Sequence, residues 1–367
     1  MIYVHVPFCR SFCTYCAFYS EIAGRDCGKA YDGYLDSLLG EIGSRKEEIS
    51  SPTEVDTLYI GGGTPSVLPL SVLGRIIGAL KDIRPQGFSE FTVEVNPDDV
   101  TPSFASGLRD LGVNRVSVGI QSFDDGILRW MNRRHDSAGA AEAFRNLRDA
   151  GFGNISIDLI FGIPQLTETV WTETVRKALE LRPEHISAYQ LGVDEGSALA
   201  DLAAEGKWKD APEENCHAQY DILCRELSLA GYRHYEISNF ALPGFEAVHN
   251  GAYWGRIPYV GLGPGAHSFR RVDGTETRLW NSEELKDWKQ EGEILSPEDI
   301  RTERIMLGLR TDRGMEAAEL ESLAGKEAVD ALKEEGALTD IPDSSSERIR
   351  IPEDRFFVSD EIIRELI

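Results

Sequence analysis

Ile2-Tyr3-Val4-His5-Val6-Pro7-Phe8-Cys9-Arg10-Ser11-Phe12-Cys13-Thr14-Tyr15-Cys16 opens the chain with a short β-rich run and then places three cysteines within eight residues. Pro7 ends the run, and the thiols that follow share one loop, where three soft ligands can converge on one metal centre and leave a position of it open. A zinc loop is the plainer alternative, but zinc asks for a fourth ligand, and no nearby Cys or His stands at zinc-finger spacing. Six cysteines in 367 residues are too few for a disulfide-stapled secreted scaffold, so a reducing compartment is expected.

Outward from this loop, β-rich runs at 2–6, 57–60, 91–95, 115–120, 156–161 and 185–191 alternate with helical periodicity, clearest at 34–49, 71–83 and 138–150. Strand and helix in unbroken succession point to an α/β chain closing into a partial (β/α)6 barrel, with a doubly wound open sheet as the rival; a barrel would work at the C-terminal ends of its strands. Past residue 195 the regularity lapses. One helix is expected at 211–230, followed by an irregular aromatic and Gly-rich stretch at 234–269. The expected organisation is a core barrel over 1–232, an aromatic segment over 233–290 packed on it, and a small, mainly α C-terminal domain over 295–367. That last domain carries a short β signal at 348–351 and a mobile tip at 343–347.

Gly61-Gly62-Gly63-Thr64-Pro65 follows the second strand, and without side chains its backbone can approach a ligand closely, although a glycine run alone is usually a turn. Glu94, Gln121 and Asp158 end or interrupt otherwise apolar strands. Burying such groups unpaired costs several kcal/mol, so each needs a partner, either a loop Arg or Lys or a ligand. Further on, His249-Asn250-Gly251-Ala252-Tyr253-Trp254 sets an imidazole beside aromatic rings; a lone His there usually packs, but it can also ligate iron against a porphyrin face.

Together these elements resemble the radical-SAM superfamily and, within it, the oxygen-independent coproporphyrinogen III oxidase group with its HemW-type haem chaperones. The resemblance implies a radical-SAM barrel with a [4Fe-4S] cluster on Cys9, Cys13 and Cys16, its fourth iron chelated by S-adenosylmethionine (SAM). It implies SAM binding by Tyr3, Gly62, Gly63, Thr64, Glu94, Gln121, Arg133 and Asp158, with Arg133 facing the SAM carboxylate. By the same likeness His249, Asn250, Tyr253 and Trp254 are expected to bind haem, delivered as cargo to haem-accepting respiratory proteins. The oxidases carry a fourth cysteine two residues after the third, where this chain has Phe18, and an extension before the first strand. If the chain is catalytic, it is expected to be a SAM-cleaving oxidoreductase of the coproporphyrinogen dehydrogenase class.

With 62 acidic against 38 basic residues, a net charge of −24 disfavours nucleic acid and direct contact with anionic membranes, so membrane association would be indirect. No leader and no bilayer-length apolar run is legible, which points to the cytoplasm and allows a homodimer. Cys216, Tyr220 and Cys224, four residues apart, read as a buried helix face. Cys27, His135, His185, His217, His234 and His267 are read as packing residues.

Overall fold

The computed structural model describes residues 1–24, 28–342 and 347–367. The readings of Cys27 and of residues 343–346 therefore lie outside the described residues.

Strands β1 (Ile2–Val6), β2 (Thr57–Gly62), β3 (Glu90–Val95), β4 (Arg115–Gln121), β5 (Ile155–Phe161) and β6 (His185–Gln190) alternate with α1 (Gly28–Ser44), α2 (Leu70–Ile83), α3 (Pro102–Asp110), α4 (Ser137–Asp149) and α5 (Glu168–Leu181). The six strands lie side by side, parallel and in chain order. Their outward residues are almost wholly apolar, among them Leu58, Ile60, Val93, Val116, Val118, Ile157 and Leu159, each fully buried. That outer face is buried under a second layer, while the alternate, inward residues are largely polar, among them Thr92, Arg115, Ser117 and Ser156. The helices supply the cover. In α2, Leu73, Ile76, Ile77 and Leu80 make one buried stripe at helical spacing.

The sheet is a partial barrel that does not close. The stretch expected to be irregular contributes three of its nine strands, which corrects that reading. After α6 (Glu213–Leu229) come β7 (Arg233–Glu236) and β8 (Asn239–Ala241), and β8 pairs antiparallel with β6. Helix α7 (Val248–Trp254) leads to β9 (Val260–Leu262), which returns to the opposite edge and pairs parallel with β1, Tyr3 beside Gly261. Three- and four-residue strands are too short for a period to show, and their pairing partners are remote in sequence.

Beyond β9, strands His267–Val272, Thr275–Asn281 and Gln290–Ile294 form an antiparallel sheet. The helix Pro297–Leu309 then begins on a Ser296 capping box. Residues 315–316, 339–340 and 348–350 make a further small sheet among the C-terminal helices. Among the described residues no helix is long and apolar enough to cross a membrane.

Two packing readings need correction. His217 and His267 are exposed; His217 stacks on Phe357 at 4.9 Å, and His267 is on an edge strand. His135, His185 and His234 are buried as expected, as are Cys216 and Tyr220, with Cys224 half-buried.

Candidate cofactor cavity at the strand ends

The cysteine loop lies over the C-terminal ends of the parallel strands because four backbone or side-chain ties hold it there. Thr14 N donates to Met131 O at 3.1 Å and Thr14 Oγ1 to Trp130 O at 2.9 Å. Asn132 Nδ2 donates to Phe12 O at 2.7 Å, and Leu199 N to Thr14 O at 2.8 Å. None of these ties uses a thiol. Cys9, Cys13 and Cys16 are free and half-buried, and burial pushes the Cys16 thiol up to about 11. Among the described residues no three Cys, His, Asp or Glu side chains converge on a single ion. A cubane cluster suits the arrangement better, because each thiolate then takes a different iron.

Beneath the loop is a cavity of about 510 Å³, a size suited to one nucleoside-like ligand. Its lining includes all three cysteines and seven of the eight residues expected to bind SAM: Gly62, Gly63, Thr64, Glu94, Gln121, Arg133 and Asp158. Tyr3 is not among them; its hydroxyl pairs with His5 Nδ1 at 3.0 Å.

The glycine run is needed for reasons the sequence did not show. Gly63 continues the pairing of β2 past β1, its N–H donating to Val6 O at 2.9 Å, and a Cβ there would lie 2.7 Å from Phe8 O. At Gly61 a Cβ would meet the Glu94 carboxyl at 2.9 Å, so the missing side chain makes room for Glu94. The Glu94 carboxylate accepts from Tyr59 Oη at 2.6 Å and from Gly62 N at 3.2 Å. Asp158 accepts from Ser117 Oγ at 3.1 Å. Burial pushes Glu94 up to about 7 and Asp158 up to about 6, outweighing these hydrogen bonds.

Gln121 ends β4 with φ 73°, a conformation that costs a non-glycine residue of order 1–3 kcal/mol and tends to cluster at ligand sites. Arg133 reaches Cys13 Sγ at 3.3 Å and Gly119 O, while its buried Nε has no partner. A buried guanidinium edge aimed at the cavity suits a carboxylate. Sequence reading missed Tyr59, Arg115, Ser117, Ser187 and Tyr189, which also line the cavity. The available signal was spacing: 115, 117, 119 and 121 alternate along β4 and share its inward face.

The His249 segment is placed differently from the expectation. Only Asn250 of its four residues lines the cavity. His249 is 1% exposed, with Nδ1 against Thr57 Oγ1 at 2.8 Å and Nε2 against Tyr253 Oη at 3.0 Å. Both ring nitrogens are therefore engaged, and burial lowers its pKa to about 3. Tyr59, 5.1 Å away ring to ring, stands between it and the cavity. Glu90 fixes the start of α7 by accepting from Val248 N and His249 N, both at 2.9 Å. The near-isosteric change Thr57→Val should strand Nδ1 and cost about 1–3 kcal/mol. Urea unfolding would show this as a lowered midpoint at constant slope, and an unmoved midpoint would mean that His249 is not held by Thr57.

Comparison with known proteins agrees with this geometry. Residues 3–178 match the radical SAM superfamily. The heme chaperone HemW of Lactococcus lactis subsp. lactis is 33% identical over 329 residues, 85% of this chain and 82% of that protein. The heme chaperone HemW of Mycobacterium tuberculosis is 31% identical over 380 residues, 100% of this chain and 94% of that protein. The coproporphyrinogen III oxidase HemN of Escherichia coli shares the fold, with a TM-score of 0.79 at 22% identity over 100% of this chain and 89% of that one. With relatives this similar over most of both lengths, the chain belongs to the radical SAM superfamily and, within it, to the HemW family.

Proposed function

We propose that this chain is a haem chaperone of the radical-SAM type, working in the cytoplasm and passing haem to haem-dependent respiratory proteins. The observation that carries the reading is similarity to HemW proteins extending far past residue 178, through the segment and C-terminal helices that a bare radical-SAM core lacks. Cys9, Cys13 and Cys16 would hold a [4Fe-4S] cluster; Gly62, Gly63, Thr64, Glu94 and Arg133 would receive the methionyl end of SAM, and Gln121 and Asp158 the remainder. When bound, cluster and SAM together supply one-electron reductive chemistry at the SAM sulfonium. The protein's own part is to orient SAM against the buried carboxylates and to keep water from the site.

Haem is the cargo in this reading. Likeness alone assigns it to His249, Asn250, Tyr253 and Trp254. For His249 to ligate iron, its bonds to Thr57 and Tyr253 would have to open. Phe18, at the position of the oxidases' fourth cysteine, is 72% exposed beside the cluster loop and offers no thiol.

The test is anaerobic reconstitution with iron and sulfide, then haem, then a haem-depleted respiratory haemoprotein. Wild type should acquire the cluster absorbance, bind haem and restore the acceptor's activity, and Cys16→Ala should lose the cluster. Conversion of coproporphyrinogen III to protoporphyrinogen with SAM and a reductant would replace this reading with the oxidase one.

A further inference from the structure

Arg115 begins β4 and points into the barrel, where it is 2% exposed and among the largest fully buried side chains. Its Nε is buried with no hydrogen-bond partner, and among the described residues it joins no ion pair. A guanidinium cannot shed its charge, so burial this deep demands compensating negative charge or a polar ligand. The barrel provides charge on both neighbouring strands. Thr92 is in register with Arg115 on β3 and Glu94 with Ser117, one step up the same inward face. On the other side, Ser117 donates to Asp158 of β5. Arg115, Glu94, Ser117 and Asp158 all line the one cavity.

We propose that Arg115 is a positioning residue: from beneath Glu94 and Asp158 its permanent positive charge favours their carboxylate form, so that the cavity presents negative charge to a cationic ligand. The inference rests on the SAM-binding reading, since SAM carries an ammonium and a sulfonium group and two neutral acids would not attract it.

The surroundings leave Arg115 as the main cation for this task. His185 of β6 and His249 of α7 face it from the barrel interior, and burial keeps both neutral. Tyr59 of β2, Tyr189 of β6, and Tyr235 of β7 are phenols whose pKa values burial raises further. Glu236 of β7 is itself raised to about 7 by burial. Arg133 reaches Asp158 from above but is tied to Cys13 Sγ and Gly119 O. Burial raises the pKa of both Glu94 and Asp158, and the field of Arg115 offsets part of that rise.

The test is the pH profile of SAM binding to the reconstituted protein, measured calorimetrically from pH 5.5 to 9 for wild type, Arg115→Met and Arg115→Lys. In Arg115→Met the midpoint of the rise in affinity should move up by about one pH unit, with affinity recovered at high pH, and Arg115→Lys should restore the wild-type midpoint. A uniform loss of affinity at every pH, or no change at all, would overturn the proposal by showing a structural role or none. Absence of SAM binding by wild type itself would instead remove the SAM reading.

If Arg115→Met folds poorly, melting temperatures carry the test. The substitution should lower the melting temperature in the wild-type background. It should raise it in a Glu94→Gln/Asp158→Asn background, where Arg115 is the uncompensated charge. The same sign in both backgrounds would refute the coupling.

Discussion

Glu94→Gln is expected to make the ligand-free protein more stable above pH 7 and, at the same time, to weaken SAM binding roughly 10- to 100-fold, the cost of a lost charge-assisted hydrogen bond. Burial raises the Glu94 carboxyl from an ordinary 4.5 to about 7. A group whose pKa is raised on folding contributes its stability in full below the unfolded value. That contribution is lost as pH climbs through the folded value. Glu94 therefore works against the fold between pH 4.5 and 7, by about 3 kcal/mol at the upper end. Gln keeps the acceptor for Tyr59 but sets an amide against Gly62 N, which takes back about 1 kcal/mol. A net gain of about 2 kcal/mol should appear in chemical unfolding at pH 8 and vanish below pH 4.5. Equal stability of the two proteins at both pH values would show that Glu94 is not ionised at the folded site. Undiminished SAM binding would show that its charge is not used.

Such a residue can be picked out from sequence because it breaks an apolar run. Glu94 and Asp158 break runs that are otherwise largely apolar, and the three cysteines share one short loop, so the core barrel and the part of the cavity around these groups were legible. Arg115 was not, because a charged residue at a strand start looks like an ordinary surface position until the neighbouring strands are in place. The engagement of His249 was equally hidden: Thr57, which holds its Nδ1, lies 192 residues away in sequence. The short strands β7, β8 and β9 failed for a third reason. Their stability comes from pairing onto β6 and β1, and three residues of the right type carry no period of their own.

That dependence on remote pairing makes β9 the place where one methyl group should do most harm. Gly261 pairs with Tyr3 of β1, and a Cβ on it would lie 1.8 Å from His267 O and 3.1 Å from His267 N. Those are backbone atoms of the next strand, so no side-chain rotation can make room. Arg45 adds to the constraint by donating from Nη1 to Gly261 O at 2.6 Å, and Ser268 Oγ accepts from Gly261 N at 2.9 Å. Relief would require the sheet at 267–294 to move off the barrel edge. Gly261→Ala is therefore expected to cost more than about 4 kcal/mol, a large effect for any single substitution, and to lower the apparent melting temperature by roughly 10 °C. Gly78→Ala, in the middle of α2 with open space where its Cβ would go, is the control and should raise stability by about 0.5–1 kcal/mol. If Gly261→Ala melts with wild type while Gly78→Ala behaves as stated, β9 is not packed against the 267–272 strand as described. The cysteine loop offers a second reading of the same variant. Its ties run to Trp130, Met131, Asn132 and Leu199, away from β9, so damage at Gly261 should reach the loop through β1, which pairs with β9 and leads directly into it.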